Sequence, residues 1–228
     1  LQLITLYSYD GITKNKELSL KGLFPDGLER CNTFNVDKPI IFITARVHPA
    51  ETMSSYLLEG IINFLTDSND LRAIVLRKFF VFKIIPILNP DGVYNGYYRF
   101  DTNGLNLNRH YNSMDQTLIP EIYATKRIFV FYSQQFRVKH FFDLHGHFSM
   151  KGHFAFMNSL DYLSQIETMS IPFFLGVYNN NFKISNCIYS EKSMKSREYG
   201  DKNSKEGSSR VFFYKTTGLI NIYTIEVS

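Results

Sequence analysis

Histidines or carboxylates stand at three places in this sequence where they could hold a metal ion or move a proton. The first is His48-Pro49-Ala50-Glu51, where a spacing of three lets an imidazole nitrogen and a carboxylate oxygen reach one ion. Two nitrogens, a carboxylate and an open position make the usual ligand set of a catalytic zinc. The second is Asp143-Leu144-His145-Gly146-His147. His145 is the natural third ligand, with Gly146 leaving room beside it, and His147 is its rival. In an extended chain Asp143 shares a face with His145 and could steady that imidazole from behind. The third is Glu226, which alone reads as a surface charge. Singly, these groups also fit plainer roles: Glu51 as a helix cap, the histidines and Asp143 as core hydrogen-bonders.

Two arginines extend the set. Arg99 and Arg109 flank a glycine- and asparagine-rich loop from Asp101 to Tyr111. A guanidinium holds a carboxylate by two parallel hydrogen bonds, and one beside a polarised carbonyl can steady the developing oxyanion. Alone, each reads first as a solvated loop charge.

Something must position these groups. Ile40-Ile41-Phe42-Ile43-Thr44 is a compact β-branched and aromatic run that predicts a buried strand, and His48 follows it. Apolar spacing from Thr52 to Leu65 predicts a helix. Phe79 to Leu88 reads as a second strand, stopped by Asn89-Pro90-Asp91-Gly92. Pro120 opens a helix to about Phe136, Val138–Leu144 is a third strand and His153–Met157 a fourth. Leu219 to Val227 is the last β-like run. Residues 1–38 read as an irregular lead-in, and 188–208 as a long surface loop rich in lysine, serine and glycine. The alternation predicts one α/β domain, a mixed and largely parallel sheet flanked by helices. In such sheets ligands gather beyond the carboxyl ends of strands, where the histidines and carboxylates fall.

Taken in order, His48-Pro49-Ala50-Glu51, Asn89-Pro90-Asp91-Gly92-Val93, Tyr98-Arg99, Leu107-Asn108-Arg109, Asp143-Leu144-His145-Gly146-His147 and Tyr223-Thr224-Ile225-Glu226 resemble the zinc carboxypeptidases related to carboxypeptidase A. Within that group the run from Thr44 to Glu51, the stretch from Asn89 to His110 and the fifth block are more similar to the cytosolic carboxypeptidases, or protein deglutamylases, than to the digestive enzymes. The resemblance implies the carboxypeptidase fold and one zinc ion per chain, with His48, Glu51 and His145 as its ligands. It implies Glu226 as general base, Arg99 as the group that polarises the scissile carbonyl, and Asn108 with Arg109 as the grip on a free C-terminal carboxylate. Arg210, sixteen positions ahead of Glu226, falls where the family lines the pocket for the terminal side chain. An arginine there implies a preference for glutamate or aspartate. The partner implied is a glutamate-rich protein tail such as that of tubulin, and the location cytoplasmic. Relatives carry a β-sandwich domain before the catalytic one and a closing helix after the general base. This chain has room for neither, which reads as a fragment. A tyrosine that covers the substrate in relatives has no secure counterpart here, Tyr199 being the only candidate in the long loop.

Bulk properties are consistent with an ordinary globular domain. Over 228 residues, 44% are hydrophobic and 20% charged, with a formal net charge of +4. The lysines and arginines are scattered, which argues against nucleic acid, and no apolar run reaches the ~18 residues that span a bilayer. Two distant cysteines and no N-glycosylation sequon point to a reducing compartment. Two rival functions fit less of the pattern: an amidohydrolase of the same fold acting on N-acyl acidic amino acids, and an inactive module that binds acidic tails.

Overall fold

Short apolar runs bounded by turns build the sheet, and longer ones cover it. In a computed structural model of the chain, which describes residues 1–35, 37–135, 137–198 and 201–228, the chain opens with β1 (Ile4–Leu6), β2 (Ile12–Lys16), β3 (Asn32–Phe34) and β4 (Ile40–Ala45). Next come α1 (Thr52–Thr66), α2 (Leu71–Phe79), β5 (Val81–Ile85), α3 (Pro90–Tyr94), α4 (Pro120–Gln134) and β6 (Val138–Gly146). The chain then runs through β7 (Phe154–Phe156), α5 (Tyr162–Tyr178), α6 (Glu191–Lys195), α7 (Ser209–Thr217) and β8 (Ile222–Val227).

The main sheet has the order β1-β5-β4-β6-β8-β7, with β2 and β3 as a separate pair. Its four inner strands are parallel; β1 and β7 add antiparallel edges. Parallel strands need cover on both faces, because their crossovers lay helices there. On one face Phe42, Phe129 and Phe141 pack with Phe213 of α7, and the Phe129 and Phe213 rings stack at 3.9 Å. On the other, Ile43, Leu144 and Tyr223 meet Leu58 and Leu65 of α1 and the partly buried Leu175 of α5.

Four expectations need correction. The lead-in is not irregular throughout: β1 pairs with β5 (Ile4 opposite Ile84), and β2–β3 forms a ladder. Glu17, just after β2, accepts from Lys83 Nζ at 2.8 and 3.0 Å and from Tyr132 Oη at 2.7 Å, with Arg30 at 3.2 Å, which clamps the lead-in to the sheet. The predicted strand over 79–88 is shorter, since Phe79 ends α2, a helix whose N-terminus is capped when Asp70 accepts from Arg72 N. Residues 188–208 contain α6 and bury Met194, so they are not wholly a surface loop. Helices α5 and α7 were not anticipated: Asp161 caps the first, and Ser208 and a left-handed Gly218 bound the second. The expected end of α4 at Phe136 lies outside the described residues, as does Tyr199.

Candidate metal centre and cleft

The turn after β4 is held by its own arginine. Arg46 adopts a positive φ of 57°, costly for a non-glycine residue, and its guanidinium folds back. Nε and Nη2 donate to the Pro49 carbonyl at 3.1 and 2.7 Å, and Nη1 to Ser55 Oγ at 2.8 Å. His48 and Glu51 thus sit at the start of α1, both buried. Asn89 braces the same turn: its Oδ1 caps α3 through Gly92 N, while Nδ2 donates to the Val47 and Phe100 carbonyls.

Parallel register then delivers the third group. Ala45 lies opposite Leu144, so β6 carries His145 to the level of that turn. Gly146 N donates to Glu51 Oε2 at 2.9 Å, and a Cβ at this glycine would lie 2.9 Å from Met53 Cε and 3.1 Å from Glu51 Cβ. A larger residue would push Met53 aside and press on Glu51.

The side chains converge on one point. His48 Nδ1 is 2.6 Å from Glu51 Oε1, and His145 Nδ1 is 3.0 Å from Oε2. One ligand atom from each of the three residues falls within 4.8 Å of the others. The far nitrogen of each ring is anchored: His48 Nε2 on Asn106 Oδ1 at 3.0 Å, His145 Nε2 on Asp143 Oδ2 at 3.1 Å. Asp143 is fixed in turn by Thr44 Oγ1 at 2.7 Å and Ser209 Oγ at 2.6 Å. An acceptor behind each imidazole, turning the other nitrogen's lone pair inward, is how metal-binding histidines are held. The electrostatics agree. Burial alone would lower the His145 pKa, yet the Asp143 and Glu51 carboxylates hold it well above its ordinary value. The donor set calls for positive charge at this point, and a zinc ion fits it. His147 is not among the three; its Nδ1 accepts from the backbone N–H groups of Ser149 and Met150.

A cavity of about 300 Å³ opens over this cluster, and Glu226, Arg99, Asn108, Arg109 and Arg210 all line it. Glu226 on β8 pairs in register with His145. Burial first, helped by the nearby Glu51 and Asp143 charges and opposed by His145, pushes its pKa up to about 7. Arg99 lies 3.8 Å from Glu51 Oε1. Asn108 accepts from Ser209 N through Oδ1, and its Nδ2 lies 3.3 Å from His145 Nε2. Arg210 is buried and donates through Nη1 to the Met157 carbonyl and Asn158 Oδ1 at 2.7 and 2.8 Å. No carboxylate among the described residues pairs with it, and burial together with the Arg109 charge pushes its pKa down to about 10. Sequence reasoning passed over the segment that closes this wall. Glu198 binds Arg99 Nη2 at 2.5 Å and Arg109 Nη2 at 2.9 Å, with Lys205 Nζ at 3.1 Å. No local motif signals a contact that spans about a hundred residues.

Comparison with known proteins agrees with this geometry. The zinc carboxypeptidase model (peptidase family M14) matches residues 29–228. The chain therefore belongs to the zinc carboxypeptidase family. Cytosolic carboxypeptidase-like protein 5 of Ailuropoda melanoleuca is 31% identical over 99% of this chain and 35% of its own length. Cytosolic carboxypeptidase 6 of Caenorhabditis elegans is 46% identical over 51% of this chain and 26% of its own. A metallo-carboxypeptidase from Burkholderia cenocepacia superposes with a TM-score of 0.70 at 23% identity, over 85% of this chain and 49% of that one, which shows the shared fold. This chain thus spans about a third of the first of these relatives. No helix among the described residues is long and apolar enough to cross a membrane.

Proposed function

We propose that this domain is a metallocarboxypeptidase that removes C-terminal glutamate from peptide or protein tails. The observation that carries the acidic preference is Arg210, a buried guanidinium lining the cavity with no carboxylate partner among the described residues. A charge so placed costs stability unless something pairs with it, and the side chain of a terminal glutamate or aspartate does so. His48, Glu51 and His145 would hold the zinc, which supplies Lewis acidity toward water and the scissile carbonyl.

The remaining steps belong to the protein. Arg109 grips the α-carboxylate of the last residue, with Asn108 beside it shaping the same wall. Arg99 donates to the carbonyl oxygen as negative charge builds there. Glu226, with a pKa near neutrality, takes a proton from the attacking water and hands it to the departing amine. The position of Glu198 across Arg99 and Arg109 supports reading the pair as a carboxylate cradle, and a substrate must displace it. Resemblance to the protein deglutamylases extends the reading to glutamate-rich tails such as those of tubulin. Relatives named cytosolic and two free cysteines support a cytoplasmic location.

A panel of peptides differing only in the last residue, assayed for free amino acid with zinc present, tests this directly. Release of glutamate well ahead of neutral or basic residues, abolished by a chelator, is the expected result. Cleavage of N-acetylglutamate but no peptide would favour the amidohydrolase. Release without an acidic preference would remove Arg210 from its assigned role.

A further inference from the structure

The loop that supplies Glu198 also carries Asp201, which none of the sequence motifs includes. Its side chain is only 7% exposed, and it faces two residues of the cleft at once. Asn106 Nδ2 donates to both its oxygens, at 3.1 and 3.0 Å. Arg109 Nε lies 3.2 Å from its Oδ2; the N–H is not aimed at the oxygen, so that contact is coulombic. A backbone turn from Asp201 N to the Glu198 carbonyl and a bond from Lys205 N to the Ser196 carbonyl tie the loop at its base.

We infer that Asp201 is a positioning residue that sets the donor face of the metal ligand His48. A carboxylate can only accept, so it forces the amino end of the Asn106 side chain toward itself. The carbonyl end of that amide must then point the other way. There it accepts from Asn108 N at 3.2 Å and meets His48 Nε2 at 3.0 Å. An acceptor at Nε2 favours the imidazole proton on that nitrogen, which leaves the Nδ1 lone pair available to an ion that Glu51 and His145 would also ligate. Were Asn106 flipped, its amino group would confront the Nε2 proton, and the ring would turn its other tautomer or rotate. Asp201 therefore reaches the metal site through two hydrogen bonds and touches neither ion nor substrate. Its charge also braces Arg109, so one carboxylate aligns a metal ligand and the arginine assigned to the substrate's α-carboxylate.

This inference rests on His48 as a metal ligand, not on peptide hydrolysis, and zinc binding tests it without turnover. Zinc dissociation constants, measured by competition with a chromophoric chelator, are compared for wild type, Asp201→Asn, Asn106→Asp and the double exchange. Asp201→Asn lets either end of both amides face the other, and zinc affinity is expected to fall roughly tenfold. Asn106→Asp sets two carboxylates face to face and should bind zinc more weakly still. In the double exchange the new amide at position 201 donates to the new carboxylate at position 106, whose other oxygen accepts from His48. Affinity should then return to within about threefold of wild type. A residue that merely packs the loop predicts no such rescue. Undiminished zinc binding by a folded Asp201→Asn, or a double variant as weak as its two single changes combined, overturns the inference. Should Asp201→Asn fail to fold, the double exchange decides alone. Zinc binding that follows this pattern in a protein that releases no amino acid would refute the proposed function and leave Asp201's role standing.

Discussion

The cluster of buried charge around Glu17 and the one around Glu51 are built on opposite plans. Around Glu17 the account closes: Lys83, Arg30 and Tyr132 surround one carboxylate, and the Lys83 side chain is fully buried. Across the cleft over Glu51 it does not close. Two imidazoles and a carboxylate aim at a shared point, Glu226 is driven toward its neutral form, and Arg210 has no carboxylate partner among the described residues. A closed cluster holds the chain together; an open one is completed by what binds. Burial of charge alone does not mark a functional site, whereas burial of charge with its partner missing does.

The contrast is broken or sharpened by substitution on each side. Glu226→Gln should lower kcat on a glutamate-ended peptide by about 10³-fold while zinc content and thermal midpoint hold, since a general base is removed and no packing is lost. A comparable fall in the midpoint would mean that Glu226 belongs to the closed kind. Lys83→Met is the converse: it strands Glu17 and should cost about 3–5 kcal/mol, a drop of roughly 10 °C by calorimetry, with zinc affinity unaltered.

Arg210→Met opposes Lys83→Met in sign, for it removes a buried charge that lacks a partner. The midpoint should stay level or rise, and the preference for glutamate over leucine at the peptide terminus should shrink about 10–100-fold in kcat/KM. Gly146→Ala is expected to act least. Its methyl presses on Glu51 and Met53, and zinc affinity measured by chelator competition should weaken by about tenfold or less.

How much of this the sequence carries depends on distance along the chain. His48 and Glu51 share one short motif, and His145 sits at the end of an apolar run, so strand-end reasoning reaches all three. Glu226 stands out only beside the other blocks. What closes the site escapes such reading. Ser209 reaches Asp143 across 66 residues and Asp201 reaches Asn106 across 95, and single serines and aspartates in a polar loop send no local signal. Among helices, α5 fails for a different reason. It buries only Thr168 and Pro172 fully and leaves Leu163, Ile166, Phe173 and Val177 more than half exposed, so no single apolar stripe gives its period. The lead-in misleads because β1 is three residues long and gains its order from pairing with β5, a partner nearly eighty positions away.

Glu198, held across Arg99 and Arg109 by the fold of the same chain, has a consequence for any measured affinity. A competitor on the same chain cannot be diluted away, because the fold and not the bulk concentration sets how often it meets the arginines. An incoming acid therefore binds an exchange site rather than an empty one, and its apparent affinity is reduced by the fraction of time the loop is in place. Salt weakens the internal pair and the external one together. Binding should thus respond to ionic strength less steeply than the number of cations in the cleft implies, and a chain with Gln at 198 should recover the steeper dependence.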